Sequence, residues 1–564
     1  MNILIGGAWP YANGSLHIGH VAALLPGDIL ARYFRLKKYN VCYISGSDCH
    51  GTPIQIRANQ QGVTPGEIAN HYHIEFKNCF NQLGFSYDLY SQTQDDDHVR
   101  FVQQFFERLL DSGYIYSKVV EQAFCNACNQ FLPDRFVVGI CPNCGASAKG
   151  DQCDACGVLL EPSSLVNRRC GVCGENPVFK SSEHFYLALS RLDEFIEKYI
   201  SSSSGWRENA INLSRRYVDE GLRDRAITRD LEWGIPVPVE GFRDKKIYVW
   251  VEAVLGYLST SKKWAHDNDK SWDSFWTGKS IHYYVHGKDN IPFHTIILSA
   301  LLKAHGDLHL PDRIISSEYV TLEGRKISTS QNWAVWIPYL LEHYHPDTIR
   351  YFLIANGPER RDGDFSWREF IKSHNGELLG AYGNFVNRNL VFIQKSFDSK
   401  VPEGTCNSDI SKALYQLYRT VGELIEYGNF KDAIEAIFSF IRSANKYFDE
   451  EQPWITVKDN IEKCKETLYT CVQIIANLSV LLQPFLPISS SEIHKILKIS
   501  TIEWGYTEVP TGSKIDKVGI LFERIDKKKI EEEIEKLQSN LNCQEKKGGL
   551  SALCNKYEKK SIKK

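Results

Sequence analysis

Met1 is the only methionine among 564 residues, so the pliable filling that methionine gives to hydrophobic cores falls here to Leu, Ile and Phe. No apolar run approaches the ~18 residues of a membrane span, so no membrane location is expected. The opening Met1-Asn-Ile-Leu-Ile-Gly-Gly7 lacks a basic start and a long apolar stretch, and a secretory signal is not expected either. Charge of one sign is also missing. Lys and Arg number 66 against 69 Asp and Glu, a net −3, so a face that binds a polyanion must be local. Sixteen cysteines are too few for a disulfide scaffold, yet half of them crowd between Cys125 and Cys173. That uneven usage points to metal ligation in a reducing compartment, the cytoplasm. Otherwise the composition is ordinary, with 43% hydrophobic and 24% charged residues, and the length suits three to four domains of about 150 residues.

Residues 1 to about 118 alternate strand and helix. Ile3-Leu4-Ile5 reads as a buried strand broken at Gly6-Gly7, His20 to Lys37 as a helix, and Val41–Ile44 as the next strand. Strand and helix alternating at this spacing predict a parallel α/β sheet. From about Lys118 to Phe185 the chain turns Cys-, Gly- and Pro-rich, an insertion in that rhythm. The α/β texture resumes near Asp230, with strands expected at Lys246–Val251 and His282–Val285. Past Gly363 the strands vanish. Leu414, Leu417, Tyr418, Val421, Leu424 and Ile425 recur at helical spacing, and Ile474 to Leu482 is an apolar helix closed by Pro484 and Pro487, so a helical bundle follows. From Lys514 the sequence is charged and weakly patterned. Its last ten residues carry five Lys against one Glu and read as a solvated tail.

Cys125-x2-Cys128, Cys141-x2-Cys144, Cys153-x2-Cys156 and Cys170-x2-Cys173 form four knuckles. Each aims two thiolates at one point, and a tetrahedral Zn²⁺ needs two knuckles, so two closed Cys₄ sites are implied. With four thiolates per ion no position is left for an activated water, which makes the zinc structural. Spacing alone does not choose among the three ways of pairing the knuckles.

Ala8-Trp-Pro-Tyr-Ala-Asn-Gly-Ser-Leu-His17-Ile-Gly19-His20 follows the first strand and opens the first helix. Ligands of open α/β sheets bind at this edge, and free amides at a helix start favour phosphate. Gly19 lets a purine approach the backbone while His17 and His20 donate to phosphate oxygens. Far downstream, Leu322-Glu-Gly-Arg-Lys326-Ile-Ser328-Thr329-Ser330 places adjacent cations in a Gly- and Ser-rich loop suited to a triphosphate. Thr277-Gly-Lys-Ser280 is not a P-loop, because Asp273 stands where its first glycine belongs.

His17-Ile-Gly-His20 together with Lys326-Ile-Ser-Thr-Ser330 resembles the paired signature of class I aminoacyl-tRNA synthetases. Within that class the chain is similar to the methionyl-tRNA synthetase family, through Ala8–Ser15, Asp48-Cys-His-Gly-Thr-Pro53, Phe131–Phe136 and Tyr248-Val-Trp250. Gly287-Lys-Asp289, Pro292-Phe-His294 and Asp449-Glu-Glu-Gln-Pro-Trp454 continue the match. The resemblance spans about residues 2 to 525. It implies a Rossmann-like doubly wound sheet with a zinc-knuckle insertion, followed by an all-α anticodon-binding bundle. The corresponding division is 1–118 and 230–310 for the two catalytic halves, 119–229 for the insertion, and 311–365 for a stem-contact region. Residues 366–510 would form the bundle and 511–564 an extension with a basic tail.

The same resemblance implies site residues. His17, Gly19, His20 and Lys326 are expected to be catalytic, and ATP to be held by His17, His20, Gly287, Asp289, Lys326, Ser328 and Thr329, with Mg²⁺ on its phosphates. Methionine would be held by Ala8, Trp9, Tyr11, Asp48, Trp250, Ala253, Tyr257 and His294. Asp48 offers its carboxylate to the substrate ammonium, and several aromatic faces are needed because a thioether–aromatic contact contributes only ~0.3–1.5 kcal/mol. Asn384 and Arg388 would read the edges of anticodon bases and Trp454 would stack on one. Relatives with one zinc keep the inner or the outer knuckles, which implies nested pairing: Cys141, Cys144, Cys153 and Cys156 on one ion, Cys125, Cys128, Cys170 and Cys173 on the other.

The implied reaction joins L-methionine to ATP as methionyl-adenylate and passes it to tRNA(Met), for initiation and elongation. The C-terminal tRNA-binding module of some relatives has no counterpart here, and a monomer is expected. Three positions depart from the family pattern. Trp9 stands where Leu is frequent and Val254 where Pro is frequent. Thr329 replaces the second lysine of the signature loop, leaving Lys326 to carry the charge with Arg325 or Lys288 as candidate helpers. Synthetases for cysteine or a branched residue, a zinc-ribbon nucleic-acid-binding protein and a small nucleotidyltransferase are the competing readings. The last two leave either the paired loops or the helical bundle unexplained.

Overall fold

The computed structural model describes residues 1–545 except 133–135, 151, 152, 154, 155, 157, 159, 307 and 330. Ser330, part of the Phe131–Phe136 motif and the lysine-rich end lie outside the described residues. Five parallel strands form the central sheet: β1 (Asn2–Gly7), β2 (Asn40–Ser47), β3 (Leu89–Gln92), β4 (Ser280–Gly287) and β5 (Arg313–Ser317), in the order β5-β4-β1-β2-β3. Ile3, Leu4 and Ile5 are fully buried, as expected of a parallel strand covered on both faces. The chain moves outward from β1 through β2 to β3, then returns to the other side of β1 for β4. The strand order therefore reverses between β1 and β4, and ligands of open sheets bind in the crevice beyond the strand ends at such a point. Helix α1 (Ile18–Leu36) starts there.

The insertion is a long antiparallel ribbon, Ile115–Cys125 against Val178–Leu187, tipped by a small sheet of Val137–Ile140, Ser147–Lys149 and Val166–Cys170. Its core at the tip holds Leu132, Val137, Ala148 and Leu165 around Cys125, Cys141, Cys153 and Cys170. So few apolar side chains need the knuckles as reinforcement.

The strand expected at Lys246–Val251 is a difference. Only Lys246–Ile247 pairs, with Thr228–Arg229, and α3 (Val249–Asp267) follows at once; α2 is Asp96–Asp111. The partner strand is two residues long, so no ladder exists to hold a longer run extended. The Tyr248 carbonyl instead accepts from the Val251 and Glu252 amides and opens the helix.

Between Trp367 and Leu497 the chain is mainly helical, with α4 (Asn384–Ser396), α5 (Ser408–Glu426), α6 (Phe430–Glu451), α7 (Pro453–Asp459) and α8 (Ile461–Leu481) among its helices. Arg350 fastens this bundle to the sheet domain. Its buried guanidinium meets Asp28 of α1 at 2.7 Å and the carbonyls of Leu83, Pro484 and Phe485. The stretch after Lys514 is more ordered than its composition suggests. Lys528–Glu545 is a helix, and Glu533, 2% exposed, accepts from Tyr339 and Tyr344. Two tyrosine hydroxyls and a thin apolar stripe through Leu537 anchor it, a pattern too sparse to stand out in the sequence. No helix among the described residues is long and apolar enough to cross a membrane.

Candidate active site and metal centres

His17 is the N-cap of α1. Its Nδ1 accepts from the Gly19 amide at 3.1 Å, while its own amide donates to His20 Nδ1 at 3.2 Å. The rings stack with centroids 3.9 Å apart. Burial holds His20 down at about 4, and burial together with the neighbouring His20 holds His17 well below the usual imidazole value. Both rings are therefore neutral near pH 7. A neutral ring whose Nδ1 accepts must carry its proton on Nε2. The backbone thus fixes both tautomers and leaves each histidine with one Nε2–H to offer a ligand. Gly19 makes this possible, since a Cβ there would lie 2.9 Å from His17 Cε1.

The second signature loop begins as a tight hairpin, Val320–Leu322 against Arg325–Lys326. Glu323 and Gly324 turn it with φ of 48° and 74°, the left-handed pair of a two-residue turn. Ser328 and Trp333 then exchange backbone hydrogen bonds of 3.0 and 2.9 Å, closing a short loop over Thr329. The chain leaving that loop joins the first signature: Ile18 N–H donates to Val335 O at 3.1 Å and Ile337 N–H to Leu16 O at 2.8 Å. Two segments some 300 residues apart in sequence thus meet at the crevice. Lys326 and Thr329 are exposed and Ser328 half-buried. The candidate helpers are held elsewhere. Arg325 lies over the Trp333 ring at 4.7 Å, and Lys288 pairs with Glu318 at 2.6 Å and Asp362 at 2.9 Å. Gly287 ends β4 and Asp289 sits in the turn beyond it, at the same edge.

The amino-acid residues gather beside it. Trp250, Ala253 and Tyr257 form one stripe of α3, at three- and four-residue steps. Trp250 Nε1 donates to Tyr11 Oη at 2.8 Å, and Tyr11 pairs with Asp48 across the ends of β1 and β2. Ala8 donates its amide to Val285 O at 2.9 Å. His294 Nδ1 donates to Asn290 O at 2.9 Å, so its neutral ring, held at about 4 by burial, accepts the Tyr257 hydroxyl at 2.8 Å through Nε2. Trp9 is gripped between Gly46 of β2 and Gly256 of α3, where a Cβ on either would come within 2.5 Å of its ring. The sequence gives no sign of this dependence on two distant glycines. Asp48 is 2% exposed, and burial and nearby Glu252 push its carboxyl well above the usual range. Glu252 is absent from the expected site residues, because a buried glutamate on a helix carries the same local pattern as a solvated one. Its partner His50 entered only as part of the Asp48–Pro53 motif, with no role of its own.

The knuckles assemble into two groups, Cys125, Cys128, Cys170 and Cys173, and Cys141, Cys144, Cys153 and Cys156. Nearest sulfurs are 3.4 to 3.9 Å apart. A disulfide needs about 2.05 Å, whereas a tetrahedron with metal–sulfur bonds of about 2.3 Å has edges of about 3.8 Å. Both groups could hold zinc ions, and the grouping is the nested one.

On the bundle, Arg388 pairs with Asp449 at 2.8 Å and lies 4.3 Å over the Phe448 ring. Trp454, 43% exposed, meets the same ring at 5.7 Å. Exposed Asn384 precedes Arg388 by one turn of α4.

The family model described as tRNA synthetases class I (M) matches residues 3–390, and that described as the anticodon binding domain of methionyl tRNA ligase matches 401–542. The chain belongs to the class I methionyl-tRNA synthetase family. Methionine–tRNA ligase 1 of Alkaliphilus oremlandii is 56% identical over 538 residues, 95% of this chain and 100% of that one. The methionine–tRNA ligase of Bacillus cereus strain G9842 is 57% identical over 540 residues, 95% of this chain and 99% of that one. The crystal structure of Mycobacterium tuberculosis methionyl-tRNA synthetase bound by methionyl-adenylate shares the fold, with a TM-score of 0.78 at 23% identity, over 93% of this chain and 100% of that chain. As in that family, a parallel-sheet core, a Cys-rich insertion and an all-helical anticodon domain follow one another.

Proposed function

We propose that the protein is a methionine–tRNA ligase that activates L-methionine with ATP and esterifies tRNA(Met). The meeting of the two signature segments at the sheet's switch point carries this reading. Asp48 takes the substrate ammonium, while Ala8, Trp9, Tyr11, Trp250, Ala253, Tyr257 and His294 enclose the side chain. ATP, entering as its Mg²⁺ complex, lies along the crevice with Gly287 and Asp289 at the nucleoside end. The Nε2–H groups of His17 and His20, with Gly19 giving them room, donate to phosphate oxygens whose charge grows as the methionine carboxylate attacks the α-phosphorus in line. Lys326, with Ser328 and Thr329, attends the departing pyrophosphate. The 2′-hydroxyl of the terminal tRNA ribose then attacks the acyl carbon and AMP leaves. No side-chain nucleophile is needed; positioning and preorganised donors lower the barrier.

Each Cys₄ group holds a structural zinc, and its thiolates suit a reducing cytoplasm. Asn384, Arg388 and Trp454 read the anticodon. The division into catalytic halves 1–118 and 230–310, insertion 119–229, stem-contact region 311–365, bundle 366–510 and extension 511–564 follows these roles. Charging unfractionated tRNA with each labelled amino acid tests the assignment. Acid-stable label is expected on methionine-accepting tRNA only; charging with another amino acid would replace the assignment.

A further inference from the structure

Asp48 is not the only carboxylate beside the amino-acid site. Glu252 of α3 is fully buried. Its Oε1 lies 2.8 Å from His50 Nδ1, and its Oε2 is enclosed without a hydrogen-bond partner. His50 follows Asp48 by two residues, and its amide reaches Asp48 Oδ1 at 3.4 Å. The segment is held firmly: Trp233 packs edge-on against the His50 ring at 5.3 Å and donates through Nε1 to Cys49 O at 2.7 Å.

Two carboxylates and one imidazole therefore share a water-poor space. The titratable groups facing them are Tyr11 from the segment after β1, the Cys49 thiol, which Asp48 and Glu252 help to keep protonated, and His98 from α2. Tyr248 at the start of α3 faces Tyr11. His98 is held neutral, at about 3, by burial. Among the described residues no Lys or Arg acts on Asp48 or Glu252. The guanidinium of Arg229 is spent on the Tyr248 ring at 4.2 Å and on the carbonyls of Ala226 and Thr228. Two anions this close and this dry repel each other with little screening, and an unpaired buried charge is costly. Burial accordingly pushes the carboxyl of Glu252 up as well.

We propose that Glu252 and His50 are positioning residues that set the charge of Asp48, so that the substrate ammonium enters by displacing a proton from this three-residue cluster. The proposal rests on the reading of Asp48 as the ammonium ligand. The charges balance. The free cluster holds one proton more than the occupied one, the ammonium brings one positive charge, and the displaced proton goes to solvent. An empty pocket then avoids an unpaired buried anion, and the second carboxylate ionises only once a cation is present. Affinity for methionine must rise with pH while the free cluster is protonated and level off once it has ionised.

Calorimetry of L-methionine binding to the full chain at about pH 6, 7 and 8, in buffers of different ionisation enthalpy, counts the protons. Net release is expected on the acidic side, with affinity falling toward about tenfold per pH unit and flattening above. Glu252→Gln keeps an oxygen for His50 and removes the repelling charge, so the onset of the fall is expected at least about half a unit lower in pH. Zero proton exchange and flat affinity in the wild-type protein would overturn the proposal, whether or not the variant folds. A Glu252→Gln profile superimposed on that of the wild type would remove Glu252 from it. Asp48→Asn separates the two readings: binding lost leaves Asp48 as the ammonium ligand, whereas binding unchanged sinks that assignment itself.

Discussion

At the scale of single residues, His20 has two tasks whose sizes differ enough to be told apart. Its Nδ1 accepts the His17 amide and so helps cap α1, a contribution of about 1 kcal/mol to helix stability. Its Nε2–H is the donor left for phosphate, and losing one such donor costs about 10²–10³ in rate. His20→Ala is therefore expected to fold, with a slightly lower melting temperature, and to form adenylate 10²–10³ times more slowly in pyrophosphate exchange. Near wild-type kcat would make the ring structural only. The His17–Gly19–His20 arrangement was legible in the sequence because a local motif holds all its parts within four residues. Glu252 and the glycines around Trp9 were not, because their meaning arises from α3 packing across the ends of β1 and β2, more than 200 residues away.

Loops and knuckles test the account at the scale of elements. Thr329 stands where the resembled signature leads to the expectation of a second lysine, and the closed Ser328–Trp333 pairing, with the Asn332 amide donating to Thr329 O at 3.1 Å, braces the loop around a short side chain. Thr329→Lys is expected to raise the rate of methionine activation less than tenfold, about 1.4 kcal/mol; a larger gain in single-turnover assays would mean that the loop only lacks charge. Metal analysis is expected to find two zinc ions per chain, and chelation to unfold the tip of the insertion while the central sheet persists in hydrogen exchange. One ion per chain would contradict the occupation of both Cys₄ groups. The knuckles were readable because their spacing is rigid. Spacing alone left the partner of each open, since pairing depends on how the Val137–Cys170 sheet folds back, and the nested grouping found is the one the family resemblance implied. The Lys246–Val251 strand failed for the opposite reason: an apolar aromatic run fits strand and helix alike, and a two-residue partner strand decided it.

For the whole molecule, the sheet crevice and the Phe448 face lie in separate domains joined by α1, Arg350 and their contacts, so recognition and chemistry should separate by mutation. Trp454 is 43% exposed, more than a packing residue requires, and stacking on a base contributes about 1–3 kcal/mol. Trp454→Ala is expected to weaken tRNA charging several-fold to a hundredfold while tRNA-independent exchange stays near wild type. Loss of both activities with a lower melting temperature would return Trp454 to the core. The most direct measurement is amino-acid-dependent ATP–pyrophosphate exchange with each of the twenty amino acids in turn. Exchange supported by methionine alone is the expected result; exchange with a different amino acid, or none with methionine, would contradict the central assignment.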